Sequence, residues 1–269
     1  MWIDTHCHLD AHEFGSRDAA LALAAQAQER GVDMVVIPAV DRANFEAVRD
    51  LARDASNACY ALGIHPICIP RAAEEDLAHM RVAVEAAMAD PRFVAIGEIG
   101  LDFFIPTLCE PAMREKQVFF LREQLKIARE FALPVLCHVR KSQDQVLKHV
   151  RQIRPAGGIA HAFNGSFQQA QAYIDAGFKL GFGGNLTFTR ALQIRRLAAE
   201  LPLSSIVVET DAPDIAPSWV HPGVNTPGEA AGIGAALAAL RGDGPGCVAK
   251  ATSKNALDVM PRLRALMAA

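Results

Sequence analysis

Short apolar runs alternate along the chain with longer stretches in which apolar residues return every three or four positions. The short runs lie at Trp2–Thr5, Met34–Pro38, Cys59–Gly63, Phe93–Gly97, Pro134–Cys137, Gly158–Ala160, Phe178–Gly181 and Ile206–Val208. Between them come helical patterns. Leu77, Met80, Val84 and Met88 share one helix face, as do Leu121, Leu125, Ala128 and Ala132, because residues three, four, seven and eleven apart line up at 3.6 residues per turn. Strand followed by helix, repeated, predicts βα units on a parallel sheet. Eight repeats predict an α/β fold closed as a single (β/α)8 TIM barrel, with its site at the C-terminal rim of the strands. The alternative is an open doubly wound sheet, which would carry a GxGxxG turn after its first strand. None follows Thr5, and Gly181, Gly183 and Gly184 lack that spacing. They are expected instead where a strand end comes close to a ligand or another backbone.

Punctuation supports the same division. Arg30–Gly31 reads as a helix end, with a cation at the negative pole and a glycine stop. Ala212–Gly228, rich in proline and glycine, reads as a long loop over the barrel mouth. A last helical stretch from Asn255 towards Leu266 is expected outside the barrel, kinked or ended by Pro261.

Composition adds constraints more than identity. The 269 residues are 51% hydrophobic, and that length suits one barrel domain over residues 1–269. With 27 Lys+Arg against 30 Asp+Glu the formal charge is −3. A global basic field of the kind that holds nucleic acid non-specifically is therefore excluded, and an anionic substrate must be captured locally. The six cysteines have no paired CxxC spacing. No signal-peptide pattern opens the chain, and no apolar run reaches the roughly 18 residues of a membrane span. The expectation is a cytoplasmic protein with reduced cysteines, no membrane association and no obligate protein partner.

The candidate chemistry sits at the ends of the apolar runs. His6 and His8 are two apart, a spacing that puts both imidazoles on one face of an extended chain. Glu98 follows Phe93–Gly97, His138 follows Pro134–Cys137, His161 follows Gly158–Ala160, and Asp211 lies just past Ile206–Val208. Five separate runs thus end in a residue able to bind metal, at the rim where barrel enzymes assemble their sites. Four imidazoles and two carboxylates suit one or two divalent ions. Glu98 could bridge two of them, and Asp211 could orient a water and take its proton.

The segments Asp4-Thr-His-Cys-His-Leu-Asp10, Gly63-Ile-His-Pro66, Gly97-Glu-Ile-Gly-Leu-Asp102, His138-Val-Arg140, His161-Ala-Phe-Asn-Gly-Ser166 and Glu209-Thr-Asp-Ala-Pro213, in that order, resemble the TatD family of metal-dependent hydrolases. The likeness runs to about Met260. It implies an amidohydrolase-like barrel, a deoxyribonuclease activity, and two divalent ions (zinc, manganese or magnesium). One ion is implied at His6, His8, Glu98 and Asp211, and the other at Glu98, His138 and His161. His65 and Arg140 are implied beside the scissile phosphate of a DNA or oligonucleotide substrate, with metal-activated water attacking phosphorus. A guanidinium fork and a histidine donor suit phosphate oxygens. Asn225 and Pro227 echo an Asn-x-Pro element of the family. Met260 stands where an aromatic is usual, and the loop Phe104–Pro111 is a connection peculiar to this chain.

Other residues invite plainer readings. His79 and His149 are expected on solvated helix faces, His12 is expected to be a spectator, and His221 a loop residue within possible reach of substrate. Asp4 is expected to orient a ligand imidazole, while Asp102 and Glu209 are each open between supporting the site and a purely structural part. Cys7 and Cys137 should point away from the ligands into the core. Two rival functions remain at this point: an amidohydrolase or lactonase acting on a small carbonyl substrate, and a non-catalytic metal-binding scaffold.

Overall fold

The computed structural model describes residues Met1–Ala269 and is one eight-stranded parallel barrel. The strands are β1 (Trp2–Asp4), β2 (Val32–Pro38), β3 (Ala58–Leu62), β4 (Phe93–Asp102), β5 (Val135–Arg140), β6 (Gly158–His161), β7 (Phe178–Phe182) and β8 (Ile206–Val208), hydrogen-bonded in sequence order. The helices are α1 (Arg17–Glu29), α2 (Phe45–Asp54), α3 (Glu74–Ala87), α4 (Pro111–Glu130), α5 (Gln143–Ile153), α6 (Phe167–Asp175), α7 (Leu192–Glu200), α8 (Ala230–Arg241), α9 (Pro245–Val259) and α10 (Pro261–Ala268). No helix is long and apolar enough to cross a membrane.

All eight expected strands are present. Closure between the first and last is made just beyond their regular portions. Thr5 N–H donates to Val208 O at 3.1 Å, Asp211 N–H to His6 O at 2.8 Å, and His8 N–H to Ala212 O at 2.8 Å, while Cys7 bridges Ala212 in parallel. The segment bearing the two histidines is thus pinned to the segment bearing Asp211. The first helix ends as read, with Arg30 as its cap and Gly31 at φ +82°, a conformation that costs a glycine little.

Strand alternation sorts the apolar residues into two populations. Val35, Ile37, Ala58, Tyr60, Leu62, Cys137 and Ala160 pack outward under the helices. Ile3, Met34, Val36, Cys59, Ala61, Val94, Leu136, Ile159 and Val207 form a separate cluster with Ala256, Val259, Met260 and Leu263. Here the sequence reading needs correction: the C-terminal stretch does not sit apart from the barrel interior but joins it. It also begins at Pro245, ten residues earlier than expected. Pro261 ends one helix and opens the next, since a proline at the first turn lacks only an N–H that has no helical partner anyway. Met260, in place of an aromatic, is fully buried in this inner cluster. His149 is a second correction: it lies buried on the inner face of α5 rather than in solvent, whereas His79 is exposed as expected.

Candidate metal centre and cleft

Five of the six expected metal-binding residues line one cleft of about 1080 Å³, together with His65 and Arg140, and the sixth, His6, is buried against them. Glu98 stands at the centre. Its Oε2 lies 3.0 Å from His6 Nε2 and 3.3 Å from His8 Nε2, and those two nitrogens are 3.3 Å apart. Its Oε1 lies 3.0 Å from His138 Nδ1 and 3.3 Å from His65 Nε2. Asp211 Oδ1 faces His6 Nε2 at 3.8 Å and His8 Nε2 at 3.7 Å, and its Oδ2 faces His161 Nε2 at 3.3 Å. His161 also stacks on His6, ring centroids 3.8 Å apart. Donor atoms therefore gather as His6, His8 and Glu98, as His6, His161 and Asp211, and as His65, Glu98 and His138. The partition differs from the implied one in placing His161 with His6 and Asp211, and His65 with Glu98 and His138.

The spacing fits a cation. Nitrogen and oxygen ligands about 2.0–2.1 Å from one ion in tetrahedral array stand roughly 3.3 Å from each other, and the group at Glu98 Oε2 spans 3.0–3.3 Å. Lone pairs converging this closely, all but buried, need a positive charge among them, which a proton on His8 supplies in the metal-free chain and a cation would supply in its place. His6 Nδ1 is buried without a hydrogen-bond partner, while Nε2 is the atom turned to Glu98 and His8, so Nε2 is the nitrogen this ring would offer a metal.

The remaining ring nitrogens show which atom each histidine offers. His138 Nε2 lies 3.1 Å from Asp102 Oδ2, so its proton belongs on Nε2 and its Nδ1 lone pair faces Glu98. His161 Nδ1 lies 3.1 Å from Glu209 Oε1, although too far off line for a hydrogen bond. Carboxylates behind metal histidines fix ring orientation and raise ligand basicity. Asp102, left open by the sequence, takes that place behind His138, whereas Glu209 lies beside His161 without a hydrogen bond to it and its Oε1 accepts the Ala162 N–H at 2.6 Å. Asp102 also fixes the loop, since its Oδ1 accepts the N–H groups of Phe104 (2.8 Å) and Ile105 (3.0 Å). Glu209 fits because Gly181 has no side chain: a Cβ there would collide with the Glu209 carboxylate.

His65 is the opposite case. Its Nδ1 accepts the Ile67 N–H at 3.1 Å. A neutral ring with an acceptor at Nδ1 carries its proton at Nε2, and Nε2 is the atom that faces the cleft. Burial holds the ring below its ordinary pKa and so neutral. His65 therefore presents a donor to the cleft, not a lone pair.

Asp4 is a correction. It accepts from the backbone N–H groups of His6 (3.2 Å) and Thr210 (2.9 Å) and from Thr210 Oγ1 (2.6 Å), and it touches no imidazole. It ties the two rim segments together. The loop after Asp211 is held by Asn225, whose Nδ2 donates to Thr210 O (2.9 Å) and Asp214 O (2.8 Å). Asp211 itself has φ +57°, a left-handed conformation that aspartate tolerates better than most residues. Cys7 and Cys137 point into the core as expected. His12 is exposed beside Glu13, and His221 packs edge-on against Phe188 outside the cleft.

Charge is strongly coupled here. Although burial disfavours its ionised form, Glu98 is held well below the carboxylate range by the imidazoles packed around it, with His138 and His6 hydrogen-bonded to it. Burial also opposes the Asp211 carboxylate, yet His161, His6 and His8 pull it down to about 2. Against the same burial, Glu98, Asp211 and Asp10 push His8 up to about 9.

Two positioning residues carried no signal in the sequence. Gln124 of α4 is buried, and it accepts the Ile64 N–H at 2.7 Å while donating to Ile64 O at 3.1 Å. One residue later comes His65. Gln117, two turns earlier, accepts the Asp102 N–H at 2.9 Å. A buried glutamine on a helix looks like any polar surface position until its burial is known.

The family described as TatD related DNase matches residues 3–261 of this chain. An uncharacterized metal-dependent hydrolase of Escherichia coli K12, YjjV, is 38% identical over 256 residues, which cover 94% of this chain and 95% of that protein. The crystal structure of that TatD homolog superposes with a TM-score of 0.88 at 37% identity, covering 97% of this chain and 98% of the other. The 3′-5′ ssDNA/RNA exonuclease TatD of Erwinia billingiae is 29% identical over 239 residues, covering 86% of this chain and 88% of that one.

Proposed function

The chain belongs to the TatD family and is a metal-dependent hydrolase, and on that premise we propose that it cleaves phosphodiester bonds in DNA with the help of two divalent ions. The observation that carries this reading is Glu98. Each of its oxygens faces a different group of imidazole nitrogens at 3.0–3.3 Å, the disposition of a carboxylate shared by two cations.

As the family resemblance implies, His6, His8, Glu98 and Asp211 would hold one ion and Glu98, His138 and His161 the other, although His161 Nε2 stands here with the first group, 3.3 Å from Asp211 Oδ2. Bound there, such ions acidify water and neutralise the charge of a phosphodiester. The chain's own residues do the rest. Arg140, half exposed at the cleft mouth and anchored 3.7 Å from Asp102 Oδ2, directs its N–H groups to the phosphate oxygens. His65 Nε2–H donates to a phosphate oxygen or to the leaving oxygen. Asp211 receives the proton of the attacking water.

The deciding experiment uses chelator-stripped protein with single metals restored and counted per chain. It is assayed on oligonucleotides, lactones and amides. Metal-dependent oligonucleotide cleavage is expected. Hydrolysis of a lactone or amide with no oligonucleotide cleavage overturns the proposal in favour of a small carbonyl substrate, and bound metal without turnover of anything favours a scaffold.

A further inference from the structure

One lip of the cleft is built unlike the rest of its wall. Phe104 lies there 47% exposed, on the loop whose first two N–H groups are fixed by Asp102. Over its ring sit two cations: the Arg140 guanidinium carbon is 3.9 Å from the ring centroid and Lys141 Nζ is 4.8 Å from it. Arg140 is held from its other side by the Asp102 carboxylate. Lys141 makes no ion pair, is exposed, and lines the same cleft. Ile67, two residues after His65, adds a second large apolar side chain to the lining at 52% exposure. A half-wet aromatic, a guanidinium plane and a free cation thus stand together at the entrance to a site that handles an anion.

That combination discriminates among ligands. An acidic peptide would use Arg140 and Lys141 but has no need of the ring. An apolar partner would need a wider patch without two cations in it. A nucleotide uses every part: a flat base with a π face, joined to a phosphate. An arginine packed face-on against an aromatic keeps its N–H edge free for phosphate oxygens. Bases stack readily on aromatic rings and guanidinium planes when they are unpaired, and they cannot do so while enclosed in a duplex.

We propose that Phe104 and Arg140 form a stacking platform for the unpaired base next to the scissile phosphate, with Lys141 on the backbone. This rests on the phosphodiesterase reading above. Phe104 is then a specificity-determining residue, and the connection Phe104–Pro111 is where this chain sets its preference.

The test uses full-length, metal-loaded protein and two labelled single strands, identical except that one has a tetrahydrofuran abasic residue beside the first bond cut. The readout is the ratio of kcat/KM for the base-bearing strand to that for the abasic strand. Wild type should favour the base by about tenfold, the size of one stacking contact. F104A and F104L should bring the ratio near one, and F104W should preserve it. If F104A lowers both rates equally, Phe104 merely props Arg140 and the proposal falls. An unchanged ratio, or no base preference in wild type, also overturns it. If wild type cuts no strand with any metal restored, the phosphodiesterase reading itself has failed, an outcome recognisable before any variant is made.

Discussion

His65 and His138 lie 3.1 Å apart and share an oxygen of Glu98, yet their outward nitrogens give them opposite tasks. Ile67 N–H claims the His65 lone pair, while Asp102 claims the His138 proton. His65→Ala should therefore keep both ions and lose about a hundredfold in kcat, the typical weight of a positioned proton donor. His138→Ala should lose one ion. Metal counting on purified variants checks this, and loss of an ion from His65→Ala would move that residue into the ligand set. A pH dependence follows from His8. In the metal-free chain its proton is retained up to about pH 9 rather than the ordinary 6.5, and His161 is shifted up as well. A raised pKa stabilises the metal-free fold fully below pH 6.5, and that contribution fades as pH rises through about 9. A divalent ion needs the neutral ring, so binding must expel protons. Calorimetry in buffers of different ionisation heat should show proton release at pH 7.5, with affinity rising between pH 6.5 and 9. Release near zero would contradict the shift. The ligand positions were legible in the sequence because each ends an apolar run. The tautomers were not, because they depend on partners such as Ile67 N and Asp102 that come into place only when the rim is assembled.

Strands and helices were read from periodicity alone, and every strand was found because a barrel strand is apolar on both faces and stops where the cleft begins. What periodicity hides is polar residues used inside. Gln117 and Gln124 lie seven apart on α4 and face the core, where each satisfies backbone groups at the end of a neighbouring strand. Gln124→Met keeps the volume but strands the Ile64 N–H and C=O. Unsatisfied buried groups cost about 1–3 kcal/mol each, so a clear fall in the denaturant midpoint is expected, with a drop in kcat as His65 loses its anchor. Denaturation and steady-state kinetics on the same preparation measure both. A kcat equal to wild type would show that His65 is positioned without Gln124. His149 was misread for the complementary reason: one polar residue on a helix does not report which way it faces.

Across the barrel as a whole, the strands carry apolar side chains inward at one end and ligands at the other. The inner cluster is completed by Ala256, Val259, Met260 and Leu263 from the last two helices. Their helical spacing was visible, but helices that cover a barrel's flank and helices whose side chains plug its end share one pattern, so the sequence did not show that these residues reach the inner cluster. Leu263 is fully buried there. Leu263→Ala should cost about 2–5 kcal/mol, seen as a lower melting temperature, while kcat at 25 °C stays near wild type because the lesion lies away from the cleft. A matching loss of kcat would mean that the two ends of the barrel are coupled.

That stopper also fixes how the molecule can be handled. Because α10 joins the side chains buried at the pole opposite the ligands, a tether attached after Ala269 would hang the enzyme with its opening outward. Surface-immobilised protein held that way should still admit long strands, whereas a graft at the Phe104 lip would stand in their path.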